Sequence, residues 1–246
     1  MANDYFQFRQ FVVRQGRCAM KVGTDGTLLG AWADLPIHSH PLPSIPITAH
    51  PLILDIGTGT GLIALMMAQR FPHARIVGVD IDGEAVSQAR ENVAASPFAD
   101  RITIQEGDAV TMPAAATRYS AIVCNPPYFV DALQAPDERR TMARHATTLT
   151  YADLLSTARR LLADDGMLSV VIPFDCRQRF DAEASLAGFF KVRECAVRTT
   201  PRKLPRRYLL AYALHPAAPE LTTGIIEEHP GVRSDWYQQL TKDFYL

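Results

Sequence analysis

The chain is poor in the features that mark several broad protein classes. It has four cysteines, Cys18, Cys124, Cys176 and Cys195, with no C-x-x-C pair among them. That scatter argues against a zinc site or a disulfide framework and for reduced thiols in a cytoplasmic protein. His38 and His40 stand two apart with no further ligand type at a useful spacing, so they read as solvated loop residues and no metal is expected. The longest apolar runs are far shorter than a membrane span, so no membrane partner is expected either. The first residues lack a basic stretch followed by an apolar one, so no signal peptide is expected. A formal net charge of −1 gives no overall attraction to a polyanion, so a nucleic acid would have to be met by local basic patches. What remains is 246 residues, 48% hydrophobic, enough to bury one large α/β core without needing two.

Periodicity divides the chain into an N-terminal extension (1–35), a proline- and histidine-rich loop (36–51), a core (52–214) and a C-terminal extension (215–246), all within one domain. The core alternates apolar strands with helices. Val86, Ala89 and Val93 share one helical face behind Asp82 as N-cap, and Tyr151, Leu154, Leu155, Ala158, Leu161 and Leu162 share another. Gly166 is expected to end that second helix before a buried strand over Met167–Ile172. A helix over about 175–187 and strands over 189–198 and 208–214 complete the pattern. The expected fold is α/β and Rossmann-like, a seven-stranded, mostly parallel sheet whose last strand is antiparallel.

Leu52-Ile53-Leu54-Asp55-Ile56 leads into Gly57-Thr58-Gly59-Thr60-Gly61 and then a helix, the entry to a nucleotide-binding βαβ unit. Alternating glycines let backbone approach a ligand closely without a pyrophosphate at the helix N-terminus. The next strand ends in Asp80, about twenty residues on, where a carboxylate can take both ribose hydroxyls. The third leads to Asp108, which could accept from an adenine amino group. The fourth, Ile122-Val123-Cys124, runs into Asn125-Pro126-Pro127-Tyr128. Two prolines stiffen that loop and remove two N–H groups, so Asn125 and the neighbouring carbonyls are held as directed acceptors. Such acceptors can hold a planar amino group while Tyr128 stacks on the ring that carries it. The arrangement suits alkylation of an exocyclic amide or nucleobase nitrogen.

Asp55, Gly57, Gly59, Gly61, Asp80, Asp108 and Asn125-Pro126-Pro127-Tyr128, at successive strand ends in this order, resemble class I methyltransferases of the amino-methylating type. The resemblance implies S-adenosylmethionine as methyl donor. The four-residue motif alone does not choose between a base and a glutamine amide. Length is informative: about thirty residues follow the last core strand and about fifty precede the Gly-rich turn. That leaves no room for a separate DNA-recognition domain or for the helical domain usual in glutamine methyltransferases. Arg202, Lys203, Arg206 and Arg207, with Arg198, crowd one loop, and Arg139, Arg140, Arg144 and His145 follow the motif loop. Such clusters suit RNA phosphates, which position a substrate without reading its sequence.

Gln10-Phe11-Val12-Val13, the run Arg17-Cys18-Ala19-Met20-Lys21-Val22-Gly23-Thr24-Asp25-Gly26, Arg144 after the motif loop, and Leu240-x-x-Asp243-Phe244-Tyr245-Leu246 are similar to the bacterial tRNA1(Val) (adenine(37)-N6)-methyltransferases. The likeness spans nearly the whole chain, although 36–51 is longer than the family usually carries. It implies tRNA as partner; no obligate protein partner is evident in the sequence. It also implies that residues 23–29, Thr24 and Asp25 among them, lie over the methionine end of the donor. A ribosomal-RNA guanine-N2 methyltransferase, a protein glutamine N5-methyltransferase and a non-catalytic RNA-binding protein on the same fold are the alternatives.

Overall fold

The computed structural model describes residues 4–18, 21–36, 50–114, 118–127 and 149–245. A short hairpin, β1 (Tyr5–Gln7) and β2 (Val12–Arg14), precedes helix α1 (Thr24–Trp32). The central alternation is β3 (Leu52–Ile56), α2 (Leu62–Arg70), β4 (Arg75–Asp80), α3 (Gly83–Ala94), β5 (Ile102–Glu106) and β6 (Tyr119–Cys124). Then come α4 (Tyr151–Leu161), β7 (Leu162–Pro173), α5 (Arg177–Leu186), β8 (Phe190–Arg198) and β9 (Arg207–Ala213). The remaining elements are β10 (Glu220–Ile225), a small ladder of β11 (Glu227–His229) with β12 (Val232–Arg233), and α6 (Asp235–Thr241).

The main sheet has the order β10-β8-β9-β7-β6-β3-β4-β5, and β9 alone runs against its neighbours. Among the described residues it therefore has eight strands where seven were expected. The extra one, β10, lies parallel to β8 at the edge. Four of its six residues are exposed, so Glu-Leu-Thr-Thr-Gly-Ile lacks the apolar alternation that marks a half-buried strand. Helix α4 also stops at Leu161, before Gly166, because Leu162 already pairs with Tyr119 and an irregularity in β7 brings Met167 opposite Ala121.

Side chains alternate across the sheet into two cores. Ile53, Val123, Val171 and Leu209 face one with α1, α2, α3 and α6; Leu54, Ile122, Ile172 and Leu210 face the other with α4 and α5. Helix α2 is buried from Leu62 to Ala68 with no polar side, because α1 covers the face that the sheet leaves open. That covering is close. A Cβ at Gly26 would lie 3.1 Å from Leu62, and one at Gly30 would lie 2.7 Å from the Met66 sulfur. The two glycines are spaced i, i+4 and oppose an i, i+4 pair on α2.

The termini meet on this face. The Arg9 N–H donates to the Phe244 carbonyl at 2.8 Å, and the Phe8 ring stacks on Tyr245 with centroids 5.9 Å apart. Gln69 of α2 donates to the Asp243 carbonyl at 2.6 Å.

Gly30→Ala should destabilise the protein by about 1–3 kcal/mol, the range for overpacking a filled interior. Gly16→Ala, where nothing lies within 4 Å of the added carbon, should change it little. Denaturant titration of the two variants checks the contrast, and equal effects would remove the crowding at Met66 as the cause.

Candidate active site

Strand register decides what meets at the carboxyl edge of the sheet. Ile56 pairs with Cys124 on one side and Val79 on the other, and Asp80 pairs with Glu106. Asn125, Gly57 and Asp80 therefore leave three neighbouring strands at one level, each about 4.8 Å from the next. The chain builds outward from β3 through β4 to β5 and then crosses back to β6. The gap between β3 and β6 is thus the switch point where open α/β sheets bind ligands.

The Gly-rich turn is fixed from below and from the side. Gly57, Gly59 and Gly61 have φ of 70°, 54° and 80°, a region that side chains disfavour. The N–H groups of Gly57 and Thr58 donate to the Val79 carbonyl, at 2.9 and 3.1 Å, and that of Gly59 donates to Asp80 Oδ2 at 2.8 Å. Asp80 Oδ1 accepts from the Asp82 N–H at 3.0 Å. Each oxygen of Asp80 keeps a second lone pair, which suits the two hydroxyls of a vicinal diol. Ile81, beside it, is 57% exposed although apolar, an open face against which a flat ring can lie.

Asp55 lies beneath the turn, fully buried. Its Oδ2 accepts from Thr58 Oγ1 at 2.7 Å and from the Ala64 N–H at 3.1 Å, so it ties the turn to the first residues of α2. Its Oδ1 makes no hydrogen bond. Burial raises the carboxyl from its ordinary 3.8 to about 7, against the lowering effect of Thr58 and Ala64. Asp108 caps the 3₁₀ turn Ala109–Thr111, its Oδ1 accepting from the Val110 N–H at 2.9 Å. It stands one strand beyond Asp80, at the half-buried end of the same row.

The N-terminal extension is joined to the Gly-rich turn, a placement that sequence reasoning reached only through resemblance. Asn92 on α3 is the connector. Its amide donates to the carbonyls of Arg14 and Thr60, at 2.8 and 2.9 Å, and its Oδ1 accepts from the Arg14 N–H at 2.9 Å. One buried side chain thus joins the hairpin, α3 and the Gly-rich turn. Nothing in its sequence surroundings marked it, because it sits inside an ordinary amphipathic helix. Cys18, also buried, is pushed up to about 11 by burial and by the carboxylates of Asp80 and Asp82. Thr24 is exposed at the first turn of α1.

Asp25 pairs with Arg207 Nη1 at 2.5 Å. The basic loop is therefore not uniform. Arg202, Lys203 and Arg206 are exposed, whereas Arg207 is largely buried in that ion pair. Loop 199–206 joins β8 to β9 at the same sheet edge as the Gly-rich turn, not away from it. Pro126 is buried and Asn125 and Pro127 are half-buried. Tyr128, Arg139, Arg140, Arg144, His145, His38 and His40 lie outside the described residues. Among the described residues no cluster of His, Cys, Asp and Glu could hold a metal ion, and no helix is long and apolar enough to cross a membrane.

The sheet order and the three loops at its switch point define a class I methyltransferase. The crystal structure of a predicted O-methyltransferase from Agrobacterium tumefaciens shares this fold, with a TM-score of 0.64 at 17% identity over 89% of this chain and 96% of that one. The "Methyltransferase small domain" family matches residues 42–200. A tRNA1(Val) (adenine(37)-N6)-methyltransferase from Phocaeicola vulgatus is 46% identical over 246 residues, covering all of this chain and 99% of the relative. One from Vibrio cholerae is 40% identical over 246 residues, covering all of this chain and 97% of the relative. The chain belongs to the small-domain methyltransferases and, within them, to the tRNA1(Val) (adenine(37)-N6)-methyltransferase family.

The raised Asp55 has a thermodynamic consequence. Between pH 4 and 7 the folded state holds a proton that the unfolded state has lost, so this group's contribution to stability falls as pH rises through that window and levels above about 7. Asp55→Asn keeps an acceptor for Thr58 and Ala64 but does not titrate. The wild type should lose stability relative to this variant as pH is raised from about 4 to about 7, measured by urea unfolding; a constant difference would contradict the shift.

Proposed function

We propose that this protein transfers the methyl group of S-adenosylmethionine to N6 of adenine 37 in tRNA1(Val), in the cytoplasm, as a single catalytic domain. The observation that carries this reading is the β3–β6 register, which sets Asn125-Pro126-Pro127 directly beside the Gly-rich turn. Full-length similarity to proteins of that name supports the choice of substrate.

The donor side fits an adenosine. A Cβ at Gly57, Gly59 or Gly107 would meet nothing within 4 Å, so these glycines border open space at the strand ends. Asp80 offers acceptors for the ribose hydroxyls, Ile81 and the 38% exposed Val110 offer apolar faces for the purine, and Asp108 an acceptor for its amino group. When bound, S-adenosylmethionine supplies an electrophilic methyl group on a sulfonium.

The chain's own residues orient the acceptor. The lone pair of an adenine amino group is delocalised into the ring. Acceptance of its two N–H groups by Asn125 Oδ1 and the Pro126 carbonyl turns that lone pair toward the donor and supports charge developing on nitrogen. No strong base is needed before transfer, since the proton leaves afterwards. Tyr128 stacks on the ring, which requires a base that is unpaired or flipped out. Arg202, Lys203 and Arg206, with Arg140 and Arg144, meet phosphates. Arg207 is placed differently, bracing α1 through Asp25.

The donor and acceptor roles separate in mutant kinetics. Asp80→Ala should weaken S-adenosylmethionine binding by about 1.5–3 kcal/mol, the range for hydrogen bonds to a charged group. Asn125→Ala should leave that affinity nearly intact while lowering kcat by about a hundred-fold or more. Calorimetric titration and single-turnover methylation of tRNA read the two effects. A near-normal kcat in the Asn125 variant would end its proposed role.

Neutralising Arg202, Lys203 and Arg206 together should weaken tRNA binding and flatten its salt dependence. For every phosphate that is no longer neutralised, the slope of log K against log salt should shrink by about 0.7–0.9. Donor affinity should stay unchanged. A triple variant with the wild-type slope would make these residues a solvated loop.

A further inference from the structure

One strand over from Asn125, the rim of the sheet carries an aromatic pair that methyl transfer itself does not use. Phe174 follows the last residue of β7 and is 44% exposed. It is held there. Its N–H donates to the Arg206 carbonyl at 3.0 Å, extending the β7–β9 ladder by one bond. Its ring stacks on Tyr208 with centroids 6.2 Å apart and planes at 26°. The Arg177 guanidinium lies 5.2 Å from the Tyr208 centroid, and Arg177 is in turn anchored by Glu194 at 2.7 Å and Asp181 at 3.3 Å. The ring is thus an outer layer on a rigid, charge-anchored support.

We propose that Phe174 is the stacking platform for the nucleobase next to the target adenine, an inference that rests on the RNA reading above. Position argues for a neighbour and not the target. Cys124 pairs with Val170, so Asn125 stands level with Val171, and Phe174 lies one strand over and three residues further out. With strand spacing near 4.8 Å and a rise near 3.3 Å, that separation is about 11 Å, too far for the ring bearing the reacting amine. Charge argues for a base and not a phosphate at the ring. Asp175 is exposed directly beside it and repels phosphate, whereas Arg206, Arg202 and Lys203 stand on the adjoining loop to receive the backbone. An aromatic face flanked by cations on one side is how proteins hold unpaired nucleotides without reading their identity.

The test uses a synthetic anticodon stem-loop with the base removed on one side or the other of the target adenine, and the full-length wild type, Phe174→Ala and Phe174→Tyr. Phe174→Ala should raise KM for intact RNA about ten- to hundred-fold, the scale of one base stack, with kcat changed much less. Phe174→Tyr should restore KM, and S-adenosylmethionine affinity and thermal stability should match wild type in both variants. At one flank, base removal should cost the wild type the same factor and cost Phe174→Ala nothing further. A wild-type KM in Phe174→Ala, or losses that multiply at both flanks, would overturn the platform while leaving the methylation reading intact. If the wild type does not methylate intact RNA at all, that reading falls and the platform with it.

Discussion

The pairing of β3 with β6 is the constraint on which the site depends. Ile56 against Cys124 is an ordinary ladder contact, but it fixes which residues come next on each strand. Because side chains alternate with period two, a slip of one residue would exchange the faces of Ile122 and Val123, which belong to opposite cores. The two cores therefore hold the register, and the register holds Gly57 beside Asn125. Precision at the rim is derived from packing well below it.

The Gly-rich turn is flanked by parts that do not belong to the sheet. Helix α1 covers an α2 that has no polar face, and its close approach requires glycines at 26 and 30. The hairpin is bound through Asn92, whose amide satisfies two carbonyls on different segments. The Asp25–Arg207 pair adds a link from α1 to the strand that carries the basic loop. A segment that reads as an extension is thus joined to the Gly-rich turn by buried polar contacts and to the strand after the basic loop by a partly buried charge pair.

How much of this was legible follows from where each signal is encoded. The Gly-rich turn and the proline-stiffened loop declare themselves through residue types with special backbone demands, and Asp80 through its place at the end of the next strand. The six core strands after β3 and both helical faces follow from periodicity, and β9's reversed direction from the short loop that joins it to β8. Strand β10 was hidden because an edge strand with most of its residues in water needs no apolar alternation. Arg207 looked like its neighbours Arg202, Lys203 and Arg206; only the fold brings Asp25 to it, from far away in sequence. The same holds for Asn92 and for the partners of Gly26 and Gly30. Contacts between distant segments leave no local pattern, and it is such contacts that join the extension to the Gly-rich turn.

The seam between the two ends of the described chain bears on how the hairpin is held. Arg9 and Tyr245, bonded side chain to carbonyl, are 236 residues apart, so the contact closes a loop almost as long as the chain itself. Closing so long a loop costs chain entropy, and the ring contact of Phe6 with Tyr245 closes a slightly longer one. The hairpin is not held by this seam alone: Phe8, Phe11 and Val13 are buried in the core on one face of the sheet, and Arg14 is bonded twice to Asn92 of α3. Loss of the seam at Tyr245 would therefore leave the hairpin attached through that core and through Asn92.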